Sequence, residues 1–268
     1  MKARHCIAVF DSGVGGLSLL PNLRRLMPDA DFVYCCDNAF HPYGLLAPEI
    51  LCERVTTLSQ KLYERFQPDL LIIACNTAST IVLTQLRSLL TIPVVGMVPA
   101  IKPAAQLTKT GHIGLLATEA TVKRPYTDQL IRDFAPNCTV VRKGSQQLVA
   151  IAEAKLRGAK VEMSRIKDEI SIFFANDLID VVVLGCSHFS HLISEFTSLS
   201  PRPMIWLDSS EAVATRAYQL LSSSGKRQRS TKDPETIITY TTDDENFSPS
   251  VQRRWTEQLH ITGFSLIN

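Results

Sequence analysis

Two cysteines stand in similar short motifs, and their setting suits acid–base chemistry. Cys75 lies in Ala-Cys-Asn-Thr (74–77), and Cys186 lies in Gly-Cys-Ser-His (185–188). Each follows a short apolar run and precedes a stretch of helical periodicity, which predicts a position between a strand end and a helix start. Unpaired N–H groups at a helix start favour the thiolate form of a cysteine. Both cysteines are therefore candidates for proton transfer.

The two motifs belong to an internal repeat. The segment Pro-Asp-Leu-Leu-Ile-Ile-Ala-Cys-Asn-Thr (68–77) corresponds to Ile-Asp-Val-Val-Val-Leu-Gly-Cys-Ser-His (179–188). Both contain an Asp, an apolar run, a small residue, the Cys and two polar residues, in the same order. The repeat predicts two similar halves. If these halves are related by a pseudo-two-fold axis, the two sulfurs face each other across a cleft.

Two opposed thiols suit the inversion of a stereocentre that carries an acidic C–H. One sulfur, as thiolate, removes the proton from one face, and the other, as thiol, delivers a proton to the opposite face. This chemistry requires no metal and no redox step. Polar neighbours could bind the carboxylates of an amino acid, namely Asn76, Thr77, Ser187 and His188.

Two other uses of these cysteines stay open at this point. Reactive thiols oxidise readily, so a disulfide switch between Cys75 and Cys186 is one alternative. A Cys–His hydrolase built on Cys186 and His188 is another. Against the hydrolase, side chains two residues apart beyond a strand are expected to point in different directions, and Cys75 would have no role.

Two further motifs are expected near strand ends. Asp-Ser-Gly-Val-Gly-Gly (11–16) is glycine-rich, but Ser18 occupies the third glycine position of a dinucleotide-binding loop, and the Lys-Ser/Thr pattern of a P-loop is absent. Asp11 then either caps a helix or aims its carboxylate into a cleft. Pro-Tyr-Gly (42–44) by itself indicates a turn.

The elements that would carry these motifs alternate along the chain. Short apolar runs rich in β-branched residues are typical of buried parallel strands. The runs are Ile7–Phe10, Phe32–Tyr34, Leu70–Ala74, Val94–Met97, Ile113–Ala117, Thr139–Val141, Val181–Leu184 and Met204–Leu207. Between them, the apolar periodicity of Pro48–Phe66 and Val161–Asn176 predicts amphipathic helices. This alternation predicts an α/β fold with parallel sheets.

The repeat divides this pattern into two similar α/β domains. We predict a first domain of residues 1–97 and 208–268, and a second domain of residues 98–207. Thr236–Thr242 and Leu259–Leu266 are predicted as strands that return to the first domain with a helix between them.

Composition excludes several classes of protein. Lys plus Arg is 28 and Asp plus Glu is 26 in 268 residues, a balance that favours neither nucleic acid nor an anionic membrane as a partner. The basic, polar segment Ser222–Asp233 is interpreted as a solvated linker. The seven cysteines lack the spacing of zinc or redox motifs, and the chain lacks a signal peptide or a membrane-length apolar run. We therefore expect a cytoplasmic protein without a metal.

Taken together, the motifs resemble those of the glutamate racemases of bacterial cell-wall synthesis over most of the chain. The matching segments are Asp11–Leu17, Pro42–Gly44, Ala74–Ser79, Leu115–Val122, Gly185–Phe189 and Asp208–Ser210. The resemblance implies a cofactor-independent racemase that interconverts L- and D-glutamate. D-Glutamate is a building block of peptidoglycan, which gives the bacterial cell its shape. The resemblance also implies two α/β domains with the active site between them.

The resemblance also implies roles for individual residues. Cys75 and Cys186 would be the two acid–base residues, the first acting on D-glutamate and the second on L-glutamate. The groups that would assist the two thiols are Asp11, Asp37, Glu153 and His188. The substrate-binding residues would be Asp11, Ser12, Pro42, Tyr43, Gly44, Asn76, Thr77, Thr118, Thr121, Ser187 and His188.

The chain departs from the family pattern at three positions. Ser187 stands in place of Thr, Ser190 in place of Pro and Ser210 in place of Gly. The departures leave one alternative open, a catalytically weakened protein that binds cell-wall precursors. An aspartate or hydantoin racemase is a second alternative, because it would use the same two thiols. The segment Ala120–Tyr126 resembles that of racemases that respond to a nucleotide-linked peptidoglycan precursor, which makes this precursor a candidate activator. We expect a monomer or a homodimer.

Overall fold

The computed structural model describes residues 3–223, 227–228, 235–242 and 247–267. Its contacts divide the chain into two compact units. The first comprises Met1–Met97 and Ser210–Asn268, and the second comprises Val98–Ser209. The two ends of the second unit are tied together, because the Ser209 hydroxyl donates a hydrogen bond to the Val98 carbonyl at 2.6 Å.

Strands and helices alternate in both units. The strands in the described residues are β1 (Ala3–Arg4), β2 (Cys6–Asp11), β3 (Asp31–Cys36), β4 (Leu70–Ile73), β5 (Val94–Gly96), β6 (His112–Ala117), β7 (Thr139–Gly144), β8 (Ile179–Gly185), β9 (Ile205–Leu207), β10 (Arg227–Gln228), β11 (Thr236–Tyr240) and β12 (Gly263–Leu266). The α-helices in the same residues are α1 (Leu20–Leu26), α2 (Pro48–Phe66), α3 (Asn76–Leu89), α4 (Ile101–Leu107), α5 (Glu119–Lys123), α6 (Pro125–Phe134), α7 (Gln147–Leu156), α8 (Met163–Phe174), α9 (Ile193–Leu199), α10 (Ser210–Ser222) and α11 (Pro249–Leu259). The predicted apolar strands and both predicted amphipathic helices are confirmed.

The first unit is built on one parallel sheet. Its six strands, within the described part of the chain, run in the order β12-β11-β3-β2-β4-β5. The central strand β2 is buried along its whole length, as is β4, which explains why both read as continuous apolar runs. A short antiparallel pair, β1 with β10, stands apart from this sheet.

The second unit repeats the same topology. Its four parallel strands, all within the described residues, run in the order β7-β6-β8-β9. This order matches β3-β2-β4-β5 of the first unit, element for element, with β4 and β8 carrying the repeated motifs. Apolar side chains cover both faces of the sheet, those of α8 on one face and those of α4 on the other. The α/β fold class with two parallel-sheet units is confirmed.

The aspartate of the repeat has a structural role in both units. The Asp69 carboxylate accepts a hydrogen bond from the Cys6 backbone N–H at 2.9 Å, at the start of β2. The Asp180 carboxylate accepts from the Lys109 backbone N–H at 2.7 Å and from the Thr108 hydroxyl at 2.6 Å, in the segment that leads into β6. Burial opposes ionisation of Asp180, but these hydrogen bonds lower its pKa. Each aspartate therefore secures the start of the neighbouring central strand.

The C-terminal segment adds β11 and β12 to the edge of the first sheet. The second of these strands begins later than predicted, because α11 continues to Leu259. His260 then adopts the left-handed conformation, with φ 51°, which ends the helix before the strand at Gly263. Of the predicted linker Ser222–Asp233, residues 224–226 and 229–233 lie outside the described residues, whereas Ser222 ends α10 and Arg227–Gln228 forms β10.

Candidate active site

Cys75 lies between β4 and α3, where the sequence predicts it. It is the residue that precedes α3, and it is 5% exposed. Its Sγ lies 3.7 Å from the Ser12 Oγ, with the thiol as donor. The Ser12 hydroxyl in turn lies 3.3 Å from the Asp11 Oδ1, to which it donates. The first unit thus contains a chain of contacts from thiol to hydroxyl to carboxylate.

Asp11 ends β2 and is completely buried. Its Oδ1 accepts the Ser12 backbone N–H at 2.6 Å, so it does not cap the helical turn at Gly15. Its Oδ2 is buried with no hydrogen-bond partner among the described residues. A Cβ at Gly16 would lie 2.7 Å from this oxygen, so only glycine leaves room for the carboxylate. The arrangement agrees with a carboxylate directed at a ligand rather than with a helix cap.

Asn76 and Thr77 form the first turn of α3 and are buried. The Oδ1 and Nδ2 atoms of Asn76 have no hydrogen-bond partner in the described part of the structure. A buried amide without a partner is costly, and such groups in native proteins usually meet a ligand or water. The Asn76 amide is therefore well suited to hold a polar ligand beside Cys75.

The Pro42-Tyr43-Gly44 motif forms a short 3-10 turn over Tyr43–Leu45. The Tyr43 ring is buried, and its hydroxyl donates a hydrogen bond of 2.6 Å to the Asp37 carboxylate. Burial, together with the negative charge of Asp37, holds the pKa of Tyr43 well above its usual range. The hydroxyl is therefore a permanent donor to Asp37.

Asp37 has an environment that the sequence did not reveal. Its carboxylate is 0% exposed and accepts two hydrogen bonds from the Arg54 guanidinium, at 2.8 and 2.9 Å. The Thr241 hydroxyl donates to it as well, at 2.8 Å. These contacts and the hydrogen bond from Tyr43 engage both oxygens of the Asp37 carboxylate, the group that we expected to assist a thiol.

Cys186 follows β8 directly and is 6% exposed. The structure differs here from the predicted strand–helix junction. A 3-10 helix over Ser187–Leu192 intervenes between the cysteine and α9. A 3-10 helix has three residues per turn, so its side chains are arranged differently from those at the start of an α-helix. Ser187 and His188 are buried in this 3-10 segment.

The 3-10 turn brings Cys186 and His188 together. The Cys186 Sγ lies 3.8 Å from the His188 Nδ1, and the His188 Nε2 lies 2.7 Å from the Glu153 Oε1. Our expectation that these two side chains diverge is therefore wrong. Glu153 is buried on α7, and Arg157, the residue that directly follows this helix, places its guanidinium 3.8 Å from the other carboxylate oxygen.

Electrostatics favour a charged imidazole at this position. Burial by itself lowers the pKa of His188. The hydrogen bonds to Cys186 and Glu153, and the negative charges they bring, outweigh burial and raise the pKa of His188 well above its ordinary value. As an imidazolium, His188 carries a proton on both ring nitrogens and can donate toward Cys186 and toward Glu153.

The two predicted threonines of the second unit contact each other. Thr118 precedes α5, and its Oγ1 accepts the Thr121 backbone N–H at 3.2 Å. The two hydroxyls are 2.9 Å apart. Both side chains are buried, and the Thr127 hydroxyl donates to the Thr121 carbonyl at 2.6 Å. This cluster fixes the start of α5 beyond the carboxyl end of β6.

In each unit, the fold places a cysteine at the corresponding strand end. Its neighbour, a hydroxyl in the first unit and an imidazole in the second, can donate or accept a proton, as proton transfer at a carbon centre requires. The family described as Asp/Glu/Hydantoin racemase matches residues 18–217. The chain belongs to the Asp/Glu/hydantoin racemase family and is an isomerase. The family resemblance seen in the motifs is confirmed.

Relatives match over nearly the whole chain. It is 42% identical to the glutamate racemase of Pasteurella multocida (strain Pm70) over 98% of this chain and 95% of the relative. It is 47% identical to that of Shewanella sp. (strain MR-4) over 85% of this chain and 83% of the relative. Escherichia coli glutamate racemase, solved in complex with L-glutamate and activator UDP-MurNAc-ala, shares 37% identity with a TM-score of 0.90, and 98% of each chain is covered.

Proposed function

We propose that this protein is a glutamate racemase that works without a cofactor, by proton transfer between Cys75, Cys186 and the substrate Cα. One observation carries the proposal: the two cysteines follow corresponding strands of two repeated units, and each has its own relay to a buried carboxylate. The relatives named above are glutamate racemases, which supports glutamate as the substrate among the amino acids this family handles.

The two relays suggest different resting states. The Ser12 hydroxyl donates toward Asp11 and accepts from Cys75, which favours a protonated thiol at Cys75. At Cys186, the His188 Nδ1 lies 3.8 Å from the sulfur, and we propose that this cysteine rests as the thiolate. In this state the enzyme is ready to remove a proton from L-glutamate with Cys186 and to return one with Cys75.

The reaction then balances without a cofactor. The Cys186 thiolate takes the Cα proton and becomes a thiol, while the electron pair of the C–H bond moves into the substrate carboxylate. The Cys75 thiol delivers its proton to the opposite face of Cα and becomes a thiolate. The reverse reaction exchanges the two roles, with D-glutamate deprotonated by Cys75.

Buried polar groups near the two cysteines would bind the substrate. The unpaired Asn76 amide and Asp11 Oδ2 are suited to a carboxylate and an ammonium group, respectively. The remaining binding residues proposed by family resemblance are Ser12, Pro42, Tyr43, Gly44, Thr77, Thr118, Thr121, Ser187 and His188. We propose that the substrate lies between the two cysteines, with one sulfur on each side of Cα.

The proposal extends to partners and location. Because the E. coli relative was solved with the activator UDP-MurNAc-ala, we propose that a nucleotide-linked peptidoglycan precursor activates this enzyme too. The product D-glutamate would serve peptidoglycan synthesis and, through it, cell shape. We propose that the enzyme works in the cytoplasm as a monomer or a homodimer. Within the described ranges, no helix combines the length and apolarity needed to cross a membrane.

The deciding experiment follows hydrogen exchange at Cα in deuterium oxide. Purified protein under reducing conditions, without pyridoxal phosphate or metal, is expected to place deuterium at Cα of both L- and D-glutamate and to interconvert them. The double variant Cys75→Ser/Cys186→Ser measures any racemase carried over from the host. Exchange of aspartate or a hydantoin but not of glutamate would assign the protein to another activity of the family. Absence of exchange from every substrate would end the racemase proposal.

A further inference from the structure

A hydrogen-bonded cluster, which we call the Asp37 cluster, joins Arg54, Asp37, Tyr43 and Thr241. All four residues belong to the first unit, but they come from three separate segments: the loops after β3, helix α2 and the end of β11. The Asp37 carboxylate lies at the centre, completely buried. A buried carboxylate is stable only when its charge is compensated and its oxygens are hydrogen-bonded.

Arg54 provides the charge that Asp37 requires. Its Nε and one terminal nitrogen bind the two carboxylate oxygens at 2.9 and 2.8 Å, which is the fork geometry that only arginine offers. The guanidinium also stacks over the Phe40 ring at 4.4 Å. Arg54 is thus fixed on both sides, and it holds Asp37 in one orientation.

Asp37 in turn fixes Tyr43. The Tyr43 hydroxyl donates to the Asp37 Oδ2 at 2.6 Å, and its ring packs against Phe10, with centroids 6.3 Å apart. Tyr43 begins the 3-10 turn Tyr43–Leu45. Tyr43 and Gly44 are substrate-binding residues in the proposed function, so the orientation of this turn bears on substrate binding.

We propose that Arg54 is a positioning residue of this enzyme, which orients Tyr43 through Asp37 and thereby holds the Tyr43–Gly44 turn for a substrate carboxylate. The inference rests on the proposed function, which supplies the carboxylate. Arg54 does not touch the substrate in this scheme. Thr241 extends the cluster to the returning C-terminal segment, through its hydrogen bond of 2.8 Å to the Asp37 Oδ1.

The scheme predicts a defect in binding rather than in chemistry. The turn would contact both enantiomers before and during proton transfer, so loosening it removes ground-state and transition-state binding equally. Such a loss raises KM and leaves kcat nearly unchanged. A residue that served only the fold would lower the amount of active enzyme and leave KM as it was.

The test compares Arg54→Gln and Arg54→Lys with Lys61→Gln. Lys61 lies on the same helix, and Lys61→Gln removes the same charge without touching the Asp37 cluster. We expect Arg54→Gln to raise KM for both enantiomers by about ten-fold. Arg54→Lys restores the charge without the fork and should recover part of this loss. Lys61→Gln should match the wild type.

A second arm tests whether Arg54 acts through Tyr43. In a Tyr43→Phe background the hydroxyl link to Asp37 is gone, so Arg54→Lys should add less than two-fold to KM, by the logic of a double-mutant cycle. If the two effects multiply, or if both Arg54 variants keep the wild-type KM, the inference is wrong. A wild-type protein that does not racemise glutamate would instead refute the proposed function, so the two failures are distinguishable.

Discussion

The two units share a backbone plan but surround their cysteines with different chemistry. In the first unit, Cys75 contacts the neutral hydroxyl of Ser12, which leads to Asp11. In the second unit, Cys186 contacts the imidazole of His188, which leads to Glu153. Both relays end on a buried carboxylate. A repeat of strands and helices therefore does not impose equal surroundings on its two cysteines, because the relay groups come from different neighbouring elements.

The difference suits a reaction with two enantiomers of equal free energy. At rest, one cysteine must hold a proton and the other must lack one. In the proposed mechanism, the Ser12 hydroxyl beside Cys75 and the His188 imidazole beside Cys186 would serve this division. The asymmetry would then decide which enantiomer the resting enzyme accepts first.

The strongest test removes either sulfur. Because each cysteine is proposed to act on one face of Cα, Cys75→Ser and Cys186→Ser should each lower kcat for racemisation by at least about 1000-fold, the scale of general acid–base catalysis. Cys138→Ser, at a half-buried cysteine away from both relays, should stay within about two-fold of the wild type. Racemisation that survives either substitution at Cys75 or Cys186 would rule out the two-cysteine scheme.

The next test separates the two relays. His188→Asn removes the imidazolium and should lower kcat by about 100-fold, whereas Ser12→Ala removes only a hydroxyl and should cost about ten-fold. Solvent exchange at Cα should slow more for L-glutamate in His188→Asn and more for D-glutamate in Ser12→Ala. Equal slowing of both enantiomers in both variants would show that the relays are not specific to one cysteine each.

Two glycines, one in each unit, allow the tightness of packing in the two units to be compared. A Cβ at Gly16 would lie 2.7 Å from the Asp11 Oδ2, and a Cβ at Gly185 would lie 2.9 Å from the Ala117 Cβ. Both Gly16→Ala and Gly185→Ala should lower the free energy of unfolding by roughly 1–3 kcal/mol, as for other overpacked sites. Urea denaturation measures this loss. Gly16→Ala should also reduce kcat, since its methyl group displaces the Asp11 carboxylate.

The smallest effect concerns stability and pH. The pKa of His188 is raised in the folded state, so its contribution to stability is fully present below its unfolded pKa of about 6.5 and is lost as pH rises through the folded pKa. The free energy of unfolding of the wild type should therefore fall relative to that of His188→Asn as pH rises above neutrality. Denaturant titrations from pH 6 to pH 9 check the sign. A gap that widens with pH would contradict a raised pKa.

Much of the fold could be predicted from local sequence. Strands such as Ile179–Gly185 are buried on both faces, and this requires a continuous apolar run that is visible in the sequence. Helix Pro48–Phe66 was predicted with its bounds because its apolar stripe and its leading proline are both local signals. The end of α11 was missed, since no glycine marks it and His260 takes the left-handed conformation instead.

The site was only partly predictable. The cysteine motifs and the glycine-rich loop at Asp11 could be recognised because, in each of them, a cysteine or an aspartate and further polar residues directly follow an apolar run. The 3-10 turn after Cys186 carried no clear local signal, and it decides that His188 reaches the sulfur. The partnership of Asp37 with Arg54 also could not be read locally, because a charged residue on a half-exposed helix has many available partners.

The sequence by itself determined the order of strands and helices, the repeat and the two candidate thiols, because burial of apolar side chains imposes patterns on neighbouring residues. Only the tertiary structure decided the partner of each thiol. Ser12 lies 63 residues before Cys75, and Glu153 lies 35 residues before His188. Hydrogen bonds between nitrogen and oxygen atoms require a distance of about 3 Å, and those of the larger sulfur atom a slightly longer one. Whether distant segments approach that closely depends on how the packed elements orient their side chains.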